Sequence, residues 1–154
     1  MTLSQAKNAM RKAISDLIDQ PLTKKEKQQV WGYFNSRCAF CGRSIEQTSR
    51  DGHIDHLVPR ASSGSNRLGN CVLACKECNG NEKRDQSWKD FLKLKCGDNS
   101  TFALRLKQIE SWQSKPATKK PVTLSGEAKA AKREVEDAIV IFEKKFVKLR
   151  EKIR

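Results

Sequence analysis

The chain has 154 residues with 31 Lys+Arg against 18 Asp+Glu, a formal net charge of +13 at pH 7. The length allows one modest domain with appendages, and the basic excess, spread along the whole chain, points to polyanionic partners, nucleic acid first. No stretch resembles a signal peptide or an apolar membrane span, so a cytoplasmic location with reduced thiols and no membrane partner is expected.

Leu3, Ala6, Met10, Ala13, Ile14, Leu17 and Ile18 recur at helical spacing, so residues 3–19 read as an amphipathic helix ended by Pro21. "TKKE" at 23–26 is a capping box, with Thr23 as N-cap and Glu26 reaching back. The helix that follows to about Asn35 should bury Val30, Trp31 and Phe34. Together, residues 1–35 form an expected pair of N-terminal basic helices. The next stretch, 36–95, is rich in Gly, Ser, Asn and Cys, and its apolar runs are too short to build a core alone. "HIDHL" and "CVLAC" are its strand-like pieces. Ser87 should cap a short helix with Trp88, Phe91 and Leu92. Residues 96–113 read as a packing helix with Phe102, Leu106 and Ile109. Residues 114–126 read as a linker with two prolines. Residues 127–154 form a long amphipathic helix in which Val135, Ile139, Phe142, Phe146, Leu149 and Ile153 make a heptad seam. That seam fits either packing on the chain's own body or a homodimer through the C-terminal helix.

Six cysteines in a reducing compartment are metal ligands or buried thiols before they are disulfides. "CAFC" places Cys38 and Cys41 on one tight knuckle, and "CKEC" places Cys75 and Cys78 on another. Two such knuckles complete a tetrahedral four-thiolate site, the signature of a structural zinc, which would staple a segment lacking its own core. Cys71 and Cys96 fall outside the pairs and read as small core residues.

Between the knuckles stand the only two histidines, His53 and His56, flanking Asp55. A histidine titrates near neutrality and can take a proton from water. A carboxylate beside it is a hard oxygen ligand suited to magnesium or manganese. A satisfied surface histidine is the plainer reading of either ring taken alone.

"DHLVPRASSGSNRLGNCVLACKECN" resembles the HNH endonuclease family of the ββα-metal type with a four-cysteine staple, over roughly residues 38–85. Asp55-His56, Pro59, Gly64, Asn70 and the Cys75–Cys78 knuckle followed by Asn79 carry the resemblance. The expected fold is therefore α+β and mostly helical, an HNH core flanked by N-terminal helices and a long C-terminal helix. The resemblance implies that His56 is the general base and that Asp55 and Asn79 hold one catalytic Mg or Mn ion. It implies that Asn70 orients His56 by holding the loop after the strand. It also implies hydrolysis of DNA phosphodiester bonds, leaving a 5′ phosphate and a 3′ hydroxyl. The family usually has a basic residue three positions after the last motif residue. Here that position is Glu82, followed by Lys83 and Arg84. Either the helix start is shifted by one residue or Asn81 replaces Asn79 at the metal. Lys83 or Arg84 would then contact a phosphate, as would Arg60. His53 would touch metal or phosphate, or be structural. Double-stranded DNA is the expected partner, since only 6% of residues are aromatic and stacking platforms for single strands are not evident. Two other readings remain: a zinc-stapled DNA-binding module without catalysis, and an RNA or single-strand nuclease on the same scaffold. Restriction, homing, phage packaging and defence systems all use the motif.

Overall fold

The computed structural model describes residues 2–62, 64–83, 86–115 and 122–153. The elements in chain order are α1 (Leu3–Ile18), α2 (Lys24–Tyr33), β1 (Gly52–His56), β2 (Cys71–Cys75), a π turn (Cys78–Glu82), α3 (Trp88–Lys95), α4 (Asn99–Gln113) and α5 (Gly126–Ile153). Short 3-10 turns at Arg60–Ser62 and Leu68–Asn70 shape the connection between the strands. The chain divides into two compact units, one of Met1–Gln20 with Pro121–Arg154 and one of Pro21–Lys120.

The larger unit starts at the capping box read from "TKKE". The Glu26 N–H donates to Thr23 Oγ1 at 3.2 Å, and the Thr23 N–H donates to Glu26 Oε2 at 2.7 Å. Two orphan donors at the helix start are thereby satisfied. The helix stops at Tyr33, two residues before the expected Asn35, because Asn35 and Ser36 adopt left-handed φ values of 50° and 53°. Leaving the right-handed region twice in succession ends an α-helix and turns the chain into the first knuckle. Val30 and Phe34 are buried there. The Phe34 ring meets Trp112 edge-on at 5.7 Å, and Tyr33 lies 4.6 Å from the same ring. Phe40 packs edge-on against Phe91 at 5.1 Å. Thus α2, α3 and α4 converge on the hairpin and give the middle segment the core it lacks by itself.

The hairpin is antiparallel, with Gly52 opposite Cys75, Ile54 opposite Leu73 and His56 opposite Cys71. Every residue of β2 is buried, whereas every residue of β1 is half-buried. The chain after β1 comes back to β2 by way of the turns Arg60–Ser62 and Leu68–Asn70, and α4 braces the second of them. The Trp112 Nε1–H donates to the carbonyls of Leu68 and Cys71, at 3.1 and 2.7 Å.

The smaller unit consists of α1 and α5. Thr2 and Gln5 form a capping box at the start of α1. Lys7 pairs with Glu143 across the two helices. The sequence grouped α1 with α2 as one N-terminal segment, but α1 packs with α5 while α2 joins the hairpin. The apolar stripes of α1 and α5 explain the first association, and the buried Val30 and Phe34 explain the second. The expected linker 114–126 begins after α4 and ends at the first residue of α5, and its residues 116–121 lie outside the described residues.

Candidate metal-dependent nuclease site

The two knuckles meet at the Gly52–Cys75 end of the hairpin. The Cys38 carbonyl accepts from the Gly42 N–H at 2.8 Å, closing a turn that requires a positive φ of 72° at Gly42. Glycine enters that region without the steric cost a Cβ would bring. The Ala39 N–H donates to the Leu73 carbonyl at 2.8 Å, which ties the first knuckle to β2. The second knuckle follows β2 directly. As a result the sulfurs of Cys38, Cys41, Cys75 and Cys78 lie within 4.8 Å of one another. Cys71 and Cys96 stand outside the cluster, Cys71 fully buried and Cys96 half-buried.

The cluster fits a tetrahedral metal. Four Zn–S bonds of about 2.3 Å give S···S edges of about 3.8 Å, and Cys41 Sγ lies 3.8 Å from Cys75 Sγ. The ionisation pattern agrees. The hydrogen bond from the Cys78 thiol, more than any other contact, lowers Cys38 to about 5. Burial pushes Cys75 up to about 12, and the bond to Cys38 together with burial pushes Cys78 up further. Such closely packed sulfurs cannot all carry charge unless a cation sits among them. Across the mouth of the knuckles, Arg43 pairs with both Asp51, at 2.8 Å, and Glu77, at 2.5 Å.

The chemistry-bearing residues lie along β1, at its far end and on the turn that follows β2. Strand alternation puts His53 and Asp55 on one face and His56 on the other. The Asp55 carboxylate is half-sequestered. Its Oδ1 accepts the His56 N–H at 2.8 Å. Its Oδ2 is buried and receives no hydrogen bond, although the Lys83 ammonium lies 3.0 Å away. Lys83 pairs ionically with that oxygen. Lys83 Nζ donates to the His56 carbonyl at 2.7 Å. Burial raises the Asp55 pKa above its ordinary value, and the charge of Lys83 pulls it partly back.

Lys83, which with Arg84 was one of two alternatives for a phosphate contact, has a side chain only 3% exposed and turned to Asp55. A buried carboxylate needs a counter-charge, and Lys83 supplies it from beneath the strand. The π turn explains how. The expected α of the ββα element opens instead as the five-residue π turn Cys78–Glu82. A π turn accommodates one residue more than an α turn. The additional residue before the lysine, noted in the sequence as Glu82, is taken up there, and Lys83 comes out against Asp55. The π turn carries Asn79 and packs against β1 as well as β2. Asn79 is half-buried within it.

The loop from residue 57 to residue 70 frames His56. Asn70 is buried and pins that loop with three hydrogen bonds. Its Oδ1 accepts the Val58 N–H at 2.9 Å. Its Nδ2 donates to the carbonyls of Val58 and Ser65, at 3.1 and 2.8 Å. Gly64 makes the closure feasible, since a Cβ there would fall 1.8 Å from the Val58 carbonyl oxygen. Asn70 thus holds the loop, and the side chain that touches the His56 ring is Asn66. Its Oδ1 lies 2.9 Å from His56 Nε2. Asn66 went unnoticed in the sequence, and its one signal is its place inside the quoted motif, four residues before Asn70. His53 faces Ala74 across the hairpin, and Arg60 opens the 3-10 turn beyond the strand. Arg84 lies outside the described residues.

A two-stranded hairpin with a helical turn beside a four-thiol metal cluster defines a ββα-metal core. Residues 38–85 match the family described as HNH endonuclease. The chain is 30% identical over 101 residues to YoqL, an SPbeta prophage-derived protein of Bacillus subtilis named as a candidate HNH endonuclease; the match covers 59% of this chain and 41% of that one. It is 39% identical over 62 residues to the CRISPR-associated endonuclease Cas9 of Corynebacterium diphtheriae, covering 36% of this chain and 6% of that one. The crystal structure of the type II-C Cas9 enzyme from Actinomyces naeslundii superposes with a TM-score of 0.42 at 25% identity, over 86% of this chain and 15% of that one. The family match covers residues 38–85, the segment that carries the hairpin and the four cysteines. The chain spans less than half the length of the prophage-derived relative it matches.

Proposed function

We propose that the chain is a metal-dependent endonuclease that hydrolyses DNA phosphodiester bonds, with His56 as general base. The observation that carries this reading is the buried Asp55 carboxylate on the residue next to His56, whose Oδ2 meets only the Lys83 ammonium among the described residues. A carboxylate oxygen left in that state is a ready ligand for a hard cation. Asp55 and Asn79 would hold one Mg or Mn ion. When bound, such an ion supplies positive charge for the pentacovalent transition state and the leaving 3′ oxygen. His56 takes the proton of the attacking water, and the products are a 5′ phosphate and a 3′ hydroxyl. His53, on the face of Asp55, and Arg60, past the strand end, are the proposed phosphate contacts, and Arg84 is proposed from its sequence position alone. Zinc is the proposed occupant of the four-cysteine cluster, on the strength of its sulfur set and edge length.

Duplex DNA is favoured by the distributed basic charge, so binding should weaken steeply with salt. The names of the prophage-derived and CRISPR-associated relatives support a phage- or defence-associated setting. No described helix is long and apolar enough to cross a membrane. The six cysteines, none of them in a disulfide among the described residues, fit a reducing cytoplasm.

The test is cleavage of supercoiled plasmid across a Mg or Mn titration. His56→Ala should lower the rate by roughly two to four orders of magnitude while leaving zinc content and DNA binding intact. A fully active His56→Ala protein would overturn the assignment. Wild-type protein that binds plasmid but never cuts it, under any metal, would favour the non-catalytic binding module.

A homodimer is also proposed. With α1 in place, α5 buries Ile139 but still exposes Val135, Phe142, Phe146, Leu149 and Ile153. Such a stripe at heptad spacing suits a second copy of α5. Light scattering should give twice the monomer mass, and a monomer at micromolar concentration would reject the pairing.

A further inference from the structure

We propose that Asn66 is a positioning residue that fixes the tautomer of His56, holding the hydrogen on Nε2 and leaving the Nδ1 lone pair as the proton acceptor. The inference rests on the reading of His56 as general base. It begins from the 2.9 Å contact between Asn66 Oδ1 and His56 Nε2. Asn66 is only 6% exposed, so this polar contact lies in a buried setting where an unmatched partner is costly.

A neutral imidazole has one N–H and one lone pair. An amide oxygen can only accept, so the nitrogen facing it must carry the hydrogen. The lone pair then lies on Nδ1. The opposite amide orientation would place the Asn66 NH2 against Nε2 and make that nitrogen the acceptor. The hydrogen would move to Nδ1, and both ring nitrogens would be committed, leaving none to take a proton from water. A general base at His56 therefore requires Asn66 Oδ1 on Nε2, the arrangement observed. When Nδ1 takes the proton, the ring becomes a cation that still donates from Nε2 to the same oxygen.

The surrounding bonds show why Asn66 can hold this position. Ser65, its neighbour, is pinned through its carbonyl by Asn70 Nδ2 at 2.8 Å. The backbone of His56 is fixed on both sides, by Asp55 Oδ1 at the N–H and by Lys83 Nζ at the carbonyl. Ring and amide are thus carried on two separately anchored segments. Asn70 orients His56, but through the loop that presents Asn66.

The 154-residue chain, loaded with zinc, has only two histidines, so the imidazole nitrogens can be assigned by 15N NMR at alkaline pH without added magnesium or manganese. His56 should show the Nε2–H tautomer in the wild type. Asn66→Ala should shift it toward a mixture and lower kcat on plasmid by roughly 10- to 100-fold, as the loss of an orienting partner does, with KM nearly unchanged. Asn66→Asp keeps an acceptor at the same place and should retain the Nε2–H tautomer and recover most of the rate. A wild-type His56 protonated on Nδ1 would overturn the proposal whatever the variants do. So would an Asn66→Ala protein with unchanged tautomer and rate. Because the tautomer is read without cleavage, failure of the nuclease reading and failure of this one give different results.

Discussion

The two ends of one five-residue hairpin are built on opposite principles. At the Gly52–Cys75 end, polar potential is closed off: four sulfurs face one another, and Arg43 pairs with Asp51 and Glu77 outside them. At the His56–Cys71 end, polar potential is held open. Asp55 Oδ2 lacks a donor, and the His56 ring is gripped through one nitrogen. The strand β2, buried throughout, links the two. The comparison teaches that a small core can tolerate an incompletely satisfied carboxylate at one end when the other end carries a four-thiol cluster able to take a cross-linking metal.

The largest effect should come from breaking the closed end. Cys78→Ser removes one of four thiolates from a site whose metal binding is coupled to folding. We expect loss of bound zinc and unfolding of the segment around the hairpin, measured by elemental analysis and circular dichroism. A variant that keeps both full zinc and native circular dichroism would show that the two ends are not divided as described.

A smaller effect is expected at the junction between the ends, where Lys83 meets Asp55. Lys83→Met leaves a buried carboxylate without its counter-charge, which typically costs about 3–5 kcal/mol. Asp55→Asn in the same background should restore a good part of that stability, since both charges are then gone. Urea unfolding of the two single variants and the double variant gives the coupling directly. If the single and double effects simply add, Lys83 is not the partner of Asp55 in solution.

The smallest effect concerns α4, whose Trp112 braces the open end. Asp98 caps this helix, and hydrogen bonds from the Ser100 hydroxyl and the Thr101 N–H and hydroxyl hold its pKa below the ordinary 3.8. The folded state favours the carboxylate, so its stabilisation is complete above the unfolded value and fades as pH falls through the lower folded one. Asp98→Asn should therefore lower the melting temperature slightly and by the same amount from neutral pH down to about pH 5. A difference that changes across this range would mean that another group is involved.

The sequence by itself determined whatever depends on short-range spacing. Cys38-x-x-Cys41 and Cys75-x-x-Cys78 announce a cluster because each knuckle is a local turn. "TKKE" announces a helix start because its two hydrogen bonds span three residues. Asp55-His56, Asn70 and Asn79 were legible as a motif, and the hairpin strands as "HIDHL" and "CVLAC". The tertiary structure alone decided which long-range partners these residues meet. Asn66 reaches His56 across ten residues of loop, and Lys83 reaches Asp55 only because a π turn absorbs an extra residue. Nor does periodicity reveal that α1 joins α5 while α2 joins the hairpin. An apolar stripe states that a face will be covered without naming its cover, and a charged side chain in a motif does not disclose whether solvent or a buried counter-charge awaits it. Those choices follow from burial and from the pairing of buried charges, which exist only once distant segments have been brought together.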